Sequence, residues 1–400
     1  MNSLQKIYCR VFQIMFKIVL PFFPYRTPEI VGSVKALPEI IRKNNCDNLL
    51  IITDTNIRKL GLTKRLENIL TSNGINFIIY DRTVENPTTT NVVEALKIYQ
   101  TSGCNAIVGF GGGSSMDCAK AVAVCVAKPG KSLENMKGIL KVHTKLPMII
   151  AIPTTAGTGS ETTLTAVIVN AETRYKYVLH DFSMIPRCTV LDPRLTLSLS
   201  PYITAITGMD ALTRAIEAFL GNSTAYDTQK SALLSVKLVF DNLDSAYENG
   251  NNRAARRNML KASFYAGLAF TKSYVGYVQA VSLSLNGEYN ISHGLVNAVL
   301  LPYILEAYGR SIYNKLHMLA NEAGISDEHL SDQEAAQNFI QAIKDMKKRF
   351  GIEDRILEIK EEDISKLSHY ADKEANPFYH APVLMNAKDL EQFYYLLMKN

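Results

Sequence analysis

The chain has no Cys-x-x-Cys pair. Its six cysteines, Cys9, Cys46, Cys104, Cys118, Cys125 and Cys188, stand singly, several inside apolar stretches. With no secretory context, that spacing argues against a disulfide framework or a thiolate metal site and for buried, reduced thiols in a cytoplasmic protein. A basic stripe interleaved with aromatics is also missing. The formal charge of +5 is spread thinly, with one short cluster at Arg253, Arg256 and Arg257, so no nucleic-acid partner is expected. There is no internal repeat and no low-complexity segment. Nor is there a run that suits a membrane span. Lys6 and Arg10 precede an apolar stretch from Val11 to Phe23 as in a signal peptide, but Lys17 interrupts it, Pro21 and Pro24 follow, and no small-residue cleavage site is present. That stretch is expected to pack as an amphipathic segment on the protein body, with peripheral membrane contact the alternative and no stable membrane insertion.

What is present is enough apolar sequence for two ordinary domains, since the 400 residues are 47% hydrophobic and 20% charged. In the first half, short continuous apolar runs alternate with helical patterns. Strands are expected at Leu49 to Ile52, Phe77 to Tyr80, Ala106 to Phe110 and Met148 to Ile152. Helices are expected at Ile57 to Leu70, Asn91 to Gln100 and Met116 to Val126, and a hairpin at Leu164 to Val169 with Tyr175 to Leu179. Continuous rather than alternating apolar strands imply a parallel sheet covered on both faces. Beyond Pro201 strand signals nearly vanish, and helical patterns run over Thr204 to Leu220, Thr228 to Tyr247, Ala254 to Tyr274 and Ala298 to Tyr308. The expected organisation is a Rossmann-like α/β domain at 1–198 followed by an all-α domain at 199–400.

Gly109-Phe110-Gly111-Gly112-Gly113-Ser114 closes one expected strand and opens a helix. Glycines let the backbone approach a phosphate, and the unpaired N–H groups of the new helix stabilise the anion. A glycine cluster alone is equally a tight turn. Three longer runs decide between the two: Gly111 to Lys120 (GGGSSMDCAK), Pro153 to Glu161 (PTTAGTGSE) and Gly208 to Leu212 (GMDAL). Together, in this order, they resemble the iron-containing (group III) alcohol dehydrogenases, with the dehydroquinate synthase-like fold. The resemblance extends from Phe23-Pro24-Tyr25-Arg26 to Asn376-Pro377.

The resemblance implies an NAD site. Gly112, Gly113 and Ser114 would hold the pyrophosphate, with Gly111 and Asp117 also counted among the cofactor-binding residues, and Thr154, Thr155 and Thr158 would contact the phosphate and nicotinamide side. Asn86, Lys176 and, more weakly, Thr163 are further contacts. Asp54 matches the acidic position that accepts a ribose 2′-hydroxyl and repels a 2′-phosphate, favouring NAD over NADP. Its bland alternative is a residue at the start of a helix that Thr55 or Asn56 caps.

The family also implies iron or zinc, held by one carboxylate and three imidazoles, which polarises the alcohol oxygen. Asp210 and His293 match that set. Arg214 and Gln279 stand at two histidine positions, and Leu283 replaces a further active-site histidine. Arg214 carries a fixed positive charge and only donors, so it cannot be a ligand, and Gln279 is a weak third. Asp210 and Arg214, four apart on one helix face, should form an ion pair, whose bland alternative is a surface pair. No ligand spacing links the other histidines, although His380 lies in a family-like stretch. Three functions follow. The first is a metal-independent NAD-linked reductase in which Arg214 and His293 carry the chemistry. The second is a conventional alcohol dehydrogenase with weakened metal binding. The third is a catalytically silent NAD-binding or assembly homologue. The expected substrate is a small alcohol, aldehyde or ketone, and the resemblance suggests a homodimer or larger homo-oligomer.

Overall fold

The first 23 residues belong to the second half of the molecule. A computed structural model describes residues 1–173, 176–327 and 329–398. Its contacts divide the chain into a unit Pro24–Ser198 and a unit of Leu199–Asn400 together with Met1–Phe23. The opening segment folds as helix α1 (Ser3–Val19), started by a capping box between Asn2 and Gln5. Assigning residues 1–23 to the α/β domain is thereby corrected. The apolar residues of α1 recur at helical spacing, and Phe12 and Phe16 on one face meet Phe378 and Tyr274 of the helical unit.

The unit Pro24–Ser198 is built on a six-stranded sheet in the order β1-β9-β6-β4-β2-β3, with every pairing parallel. Its strands are β1 (Glu29–Val31), β2 (Asn48–Ile52), β3 (Asn76–Tyr80), β4 (Ala106–Gly111), β6 (Met148–Pro153) and β9 (Cys188–Val190). A second, three-stranded sheet holds β5 (Gly138–Ile139), β7 (Thr165–Val169) and β8 (Lys176–His180), in which β7 and β8 form the antiparallel hairpin. Tyr175, expected in that hairpin, lies outside the described residues. Every residue of β4 is buried, which explains why the central strands read as unbroken apolar runs. Two apolar clusters flank the main sheet, one around Ile107, Val122 and Tyr80, the other around Val108, Leu70 and Ile41.

The helices of this unit are α2 (Leu37–Lys43), α3 (Thr55–Lys59), α4 (Lys64–Ser72), α5 (Thr89–Thr101) and α6 (Gly113–Ala127). One helix expected over Ile57 to Leu70 is thus two. Gly61, at φ +67°, ends the first after Leu60 and lets Lys64 begin the second. The strand order reverses between β2 and β4, and ligands of such sheets bind outside the carboxyl ends of the strands at that point.

The helical unit continues with α7 (Pro201–Leu220), α8 (Tyr226–Glu248), α9 (Arg253–Ser273), α10 (Tyr277–Tyr289) and α11 (His293–Tyr308). It ends with α12 (Tyr313–Glu322), α13 (Asp332–Arg349), α14 (Ile364–Ala375) and α15 (Ala387–Met398). Helix α7 is buried along nearly its whole length and packs against α8, α9 and α11, so its polar residues must find partners inside the unit. Helix α11 starts five residues before the expected Ala298, at His293, with Ser292 as an N-cap residue that makes no side-chain hydrogen bond to the helix. Among the described residues, no helix is long and apolar enough to cross a membrane, and all six cysteines are free thiols.

Candidate functional site

At the switch point of the sheet, β2 delivers Asp54 and β4 delivers Gly111 to Gly113 side by side, Ile52 pairing with Gly109 in the register. Gly111 has φ +149°, and a Cβ there would lie 2.5 Å from Ser115 Oγ and 3.6 Å from Asp54 Oδ2. Only glycine permits that path. The loop after β6 closes over the same place: Thr154 N donates to Gly111 O at 2.9 Å, and added Cβ atoms on Gly112 and Gly113 would meet Thr155 Oγ1 at 3.6 Å and Thr158 Oγ1 at 3.1 Å. Gly112 caps α6 without any side-chain hydrogen bond, and Gly112, Gly113 and Ser114 are partly open to solvent. A helix N-terminus with no capping side chain, walled by glycines and threonines, fits a pyrophosphate. Asp54 itself, rather than Thr55 or Asn56, caps α3: its Oδ1 accepts from Asn56 N at 2.9 Å and Ile57 N at 3.0 Å. Its Oδ2 is left facing the Gly111 turn.

Asp117 and Thr163 have structural work instead of an open face. Asp117 Oδ1 accepts from Ser160 Oγ at 2.5 Å and Oδ2 from Val167 N at 3.0 Å, tying α6 to β7 and to the threonine loop. Thr163 is buried, and its Oγ1 accepts from Lys120 Nζ at 2.7 Å. The sequence pattern gives no role to Lys120, yet it is fully buried and also donates to Ser160 O, Thr163 O and Thr165 O at 2.7 to 2.9 Å. Burial pulls its pKa down to about 8, and Asp117 and Glu161 oppose the fall, so it stays mainly protonated at neutral pH. Lys120 therefore pins the loop that carries Thr158. The segments that carry Asn86 and Lys176 adjoin within the unit. Val169 N donates to Pro87 O, Val169 pairs with Lys176, and burial lowers Lys176 to about 8 against the attraction of Glu85.

In the helical unit the family's ligand positions do gather, but as partners of one another. Arg214 Nε donates to Asp210 Oδ1 at 2.9 Å, with both side chains largely buried, and the guanidinium carbon lies 4.9 Å from the Phe270 ring centre. Asn297 Nδ2 donates to the same Oδ1 at 2.7 Å. Gly294 lets α11 approach α7 this closely, because a Cβ there would lie 2.6 Å from Ile206 O. His293 Nε2 meets Gln279 Oε1 at 2.6 Å and its Nδ1 meets Ser282 Oγ at 2.8 Å. A carbonyl oxygen only accepts, so Nε2 carries the proton, while the single hydroxyl proton of Ser282 is shared between Nδ1 and His293 O, 3.1 Å away. Both ring nitrogens are thereby engaged within the unit. These residues do not fit a divalent cation: one carboxylate oxygen is neutralised by arginine, the imidazole is protonated on the bonded nitrogen, and Arg214 adds a fixed positive charge.

Glu217, one turn after Arg214, is missed by motif comparison. Its Oε1 accepts from Val278 N at 2.8 Å at the start of α10, and its Oε2 has no partner. Burial raises its pKa to about 7, against the lowering effect of the α10 backbone N–H groups and Arg214. The Asp210, Arg214, Glu217 spacing places all three on one helix face and was the signal available. Leu283 is half-buried. His380 is buried between the rings of Phe16 and Tyr274, with neither ring nitrogen hydrogen-bonded, and burial depresses its pKa to about 4. It does not join Asp210 and His293.

The chain matches the family profile described as iron-containing alcohol dehydrogenase over residues 29–193 and the C-terminal profile of the Fe-containing alcohol dehydrogenase family over residues 204–398. It is 34% identical over 384 residues to a 1,3-propanediol dehydrogenase of Citrobacter freundii, covering 95% of this chain and 98% of that one. It is 32% identical to an NAD-dependent methanol dehydrogenase of Bacillus methanolicus over 342 residues, 85% of this chain and 90% of the relative. Among solved structures, a 1,3-propanediol oxidoreductase superposes with a TM-score of 0.89 at 32% identity, over 93% of this chain and 99% of the other.

Proposed function

Because the chain belongs to the iron-containing alcohol dehydrogenase family, we propose that it is an NAD-linked oxidoreductase that interconverts an alcohol and an aldehyde or ketone without the family's divalent metal. The cofactor would be held by Gly112, Gly113 and Ser114 at the uncapped start of α6, with Thr154, Thr155 and Thr158 beside them. Asp54 Oδ2, not used by the helix cap, would accept the ribose 2′-hydroxyl and repel a 2′-phosphate. Bound NAD supplies the hydride acceptor for oxidation and, reduced, the donor for reduction.

The observation that carries the metal-independent mechanism is the Asp210–Arg214 ion pair. Only the Nε edge of the guanidinium is engaged by Asp210, and its Nη groups make no further hydrogen bond to the described residues. Those groups would hold a carbonyl oxygen and stabilise the negative charge that develops on it, while Asp210 and Phe270 fix the fork's orientation. His293, held through both ring nitrogens by Gln279 and Ser282, would act as a proton relay to the product alkoxide, its Nε2 giving up a proton as its Nδ1 gains one through Ser282 Oγ, with the proton drawn ultimately from solvent.

The test is reduction of a panel of aldehydes and ketones with NADH by chelator-treated protein. Turnover should persist with iron and zinc well below one equivalent, and Arg214→Ala should lower kcat/KM by about 10². Stoichiometric metal on Asp210 and His293 would establish the conventional dehydrogenase instead. NADH binding without any turnover would establish a silent NAD-binding homologue, a reading favoured by the internal pairing of Asp210, Gln279 and His293.

A further inference from the structure

Helix α1 has two apolar faces, and only one of them is covered. The inner face is used within the helical unit: Cys9 and Gln13 are buried, Phe12 packs edge-on against Phe378, and Phe16 meets Tyr274 and His380. Arg10 fastens that face by donating to Ala381 O at 2.9 Å and Pro382 O at 2.6 Å. The opposite face carries Leu4, Ile7, Val11, Ile14 and Ile18 at alternating spacings of three and four, continued by Phe22, with exposures from 50% at Val11 to 83% at Phe22. Six such side chains make a continuous apolar strip of on the order of 600 Å², the upper end of what a soluble monomer leaves bare. The strip is about 20 Å long, since an α-helix rises 1.5 Å per residue.

Charge identifies the occupant. Lys6 and Lys17 are exposed along one edge of the strip, Lys17 Nζ making one long contact of 3.5 Å to Asn222 O, and residues 1–28 contain no Asp or Glu. Two copies of α1 packed antiparallel across Val11 would bring Lys6 close to Lys17, and packed parallel would leave the lysines on opposite edges of the pair, facing no acidic residue of α1. Neither arrangement offers α1 a carboxylate. An anionic lipid surface complements both features at once: the strip enters the headgroup–acyl boundary and the lysines meet the headgroups. We propose that the outer face of α1 docks the protein peripherally on an anionic membrane surface, with the helix lying between the bilayer and its own unit.

The experiment is flotation of the full chain with phosphatidylcholine vesicles, with and without roughly one-third phosphatidylglycerol. The protein should float with the anionic vesicles, and at least tenfold less with phosphatidylcholine alone or in high salt. Lys6→Gln with Lys17→Gln should cut the partition roughly 25-fold, at about fivefold per lysine near a charged surface. Ile7→Asp and Ile14→Asp should abolish flotation while Ile14→Leu retains it. Since these positions are already exposed, an unchanged melting temperature verifies that each variant is folded. No flotation with anionic vesicles, or equal flotation with neutral ones, overturns the proposal. So does a dimer by light scattering that Ile14→Asp dissociates, which would make the face an interface between copies.

Discussion

Glu217 is a buried carboxyl whose proton is worth following. Its folded pKa of about 7 lies above the 4.5 of an exposed glutamate, so the folded chain holds one more proton than the unfolded chain between those values. Stability contributed by this group is therefore present below pH 4.5 and lost as pH rises to 7, a change of about 3 kcal/mol at 1.36 kcal/mol per unit. Glu217→Gln keeps an acceptor for Val278 N and removes the titration. Denaturation by urea should show the variant more stable than the parent at pH 8 by up to that amount and the advantage gone at about pH 4. A second residue-scale expectation concerns Arg214 and Gln279. Arg214→His with Gln279→His restores one carboxylate and three imidazoles, and zinc at about 100 times its dissociation constant should then stabilise the protein by about 2.7 kcal/mol. Each single change should give no zinc-dependent rise in melting temperature, because the remaining arginine repels the ion or the remaining glutamine holds His293 Nε2. The identities of Arg214 and Gln279 were legible from residue type alone, since arginine has no lone pair to give. Glu217 was legible only as a face-mate of Asp210 and Arg214, because what it binds is the backbone of α10, 61 residues away, and a backbone leaves no mark in a side-chain motif.

At the scale of elements, the cradle is the junction of β4, α6 and the loop after β6, and glycine substitutions separate its shape from its stability. A Cβ on Gly112 meets nothing closer than 3.6 Å, so Gly112→Val should fold, losing no more than about 1 kcal/mol at the N-cap. The added isopropyl group would nevertheless stand where the phosphate must approach. Calorimetric titration should find NADH binding weakened at least tenfold with the melting temperature little changed; undiminished binding would move the cofactor away from α6. The long strands and α6 were readable because buried parallel strands are continuous apolar runs and the glycine turn follows one of them directly. β1 and β9, three residues each, were not, because so short a run has no periodicity to read. The Lys120 brace escaped for a related reason: its acceptors are mostly carbonyls of the 160–165 loop, and loop conformation is not written in side-chain spacing. It leaves Thr163 and Asp117 holding the cradle's wall instead of facing outward.

The whole molecule is discontinuous in sequence: its helical unit begins with residues 1–23, leaves for the α/β unit, and resumes at Leu199. Composition could not show this, because an amphipathic helix looks the same whichever body it packs on. The attachment is specific all the same. Besides its two bonds to Ala381 and Pro382, Arg10 donates to Gln13 Oε1 at 2.8 Å, and Gln13 Nε2 donates to Tyr379 O at 2.8 Å. Backbone carbonyls at 379–382 thus depend on side chains from the other end of the chain, and removing a donor leaves buried acceptors unpaired. Arg10→Ala should cost about 2 to 4 kcal/mol on the scale of hydrogen bonds from a charged donor, whereas Lys6→Ala, already exposed, should stay within about 0.5 kcal/mol. Loosening of α1 should also expose the Cys9 thiol, which is buried on the same face. Mass-spectrometric labelling with a thiol reagent should then be faster at Cys9 in Arg10→Ala, with the rate at Cys118 in α6 unchanged. NADH affinity should be preserved, because every residue of the cradle belongs to Pro24–Ser198. Equal Cys9 labelling in parent and variant would mean that α1 is held by its aromatic face alone, through Phe12 and Phe16, and that the arginine is dispensable to the join.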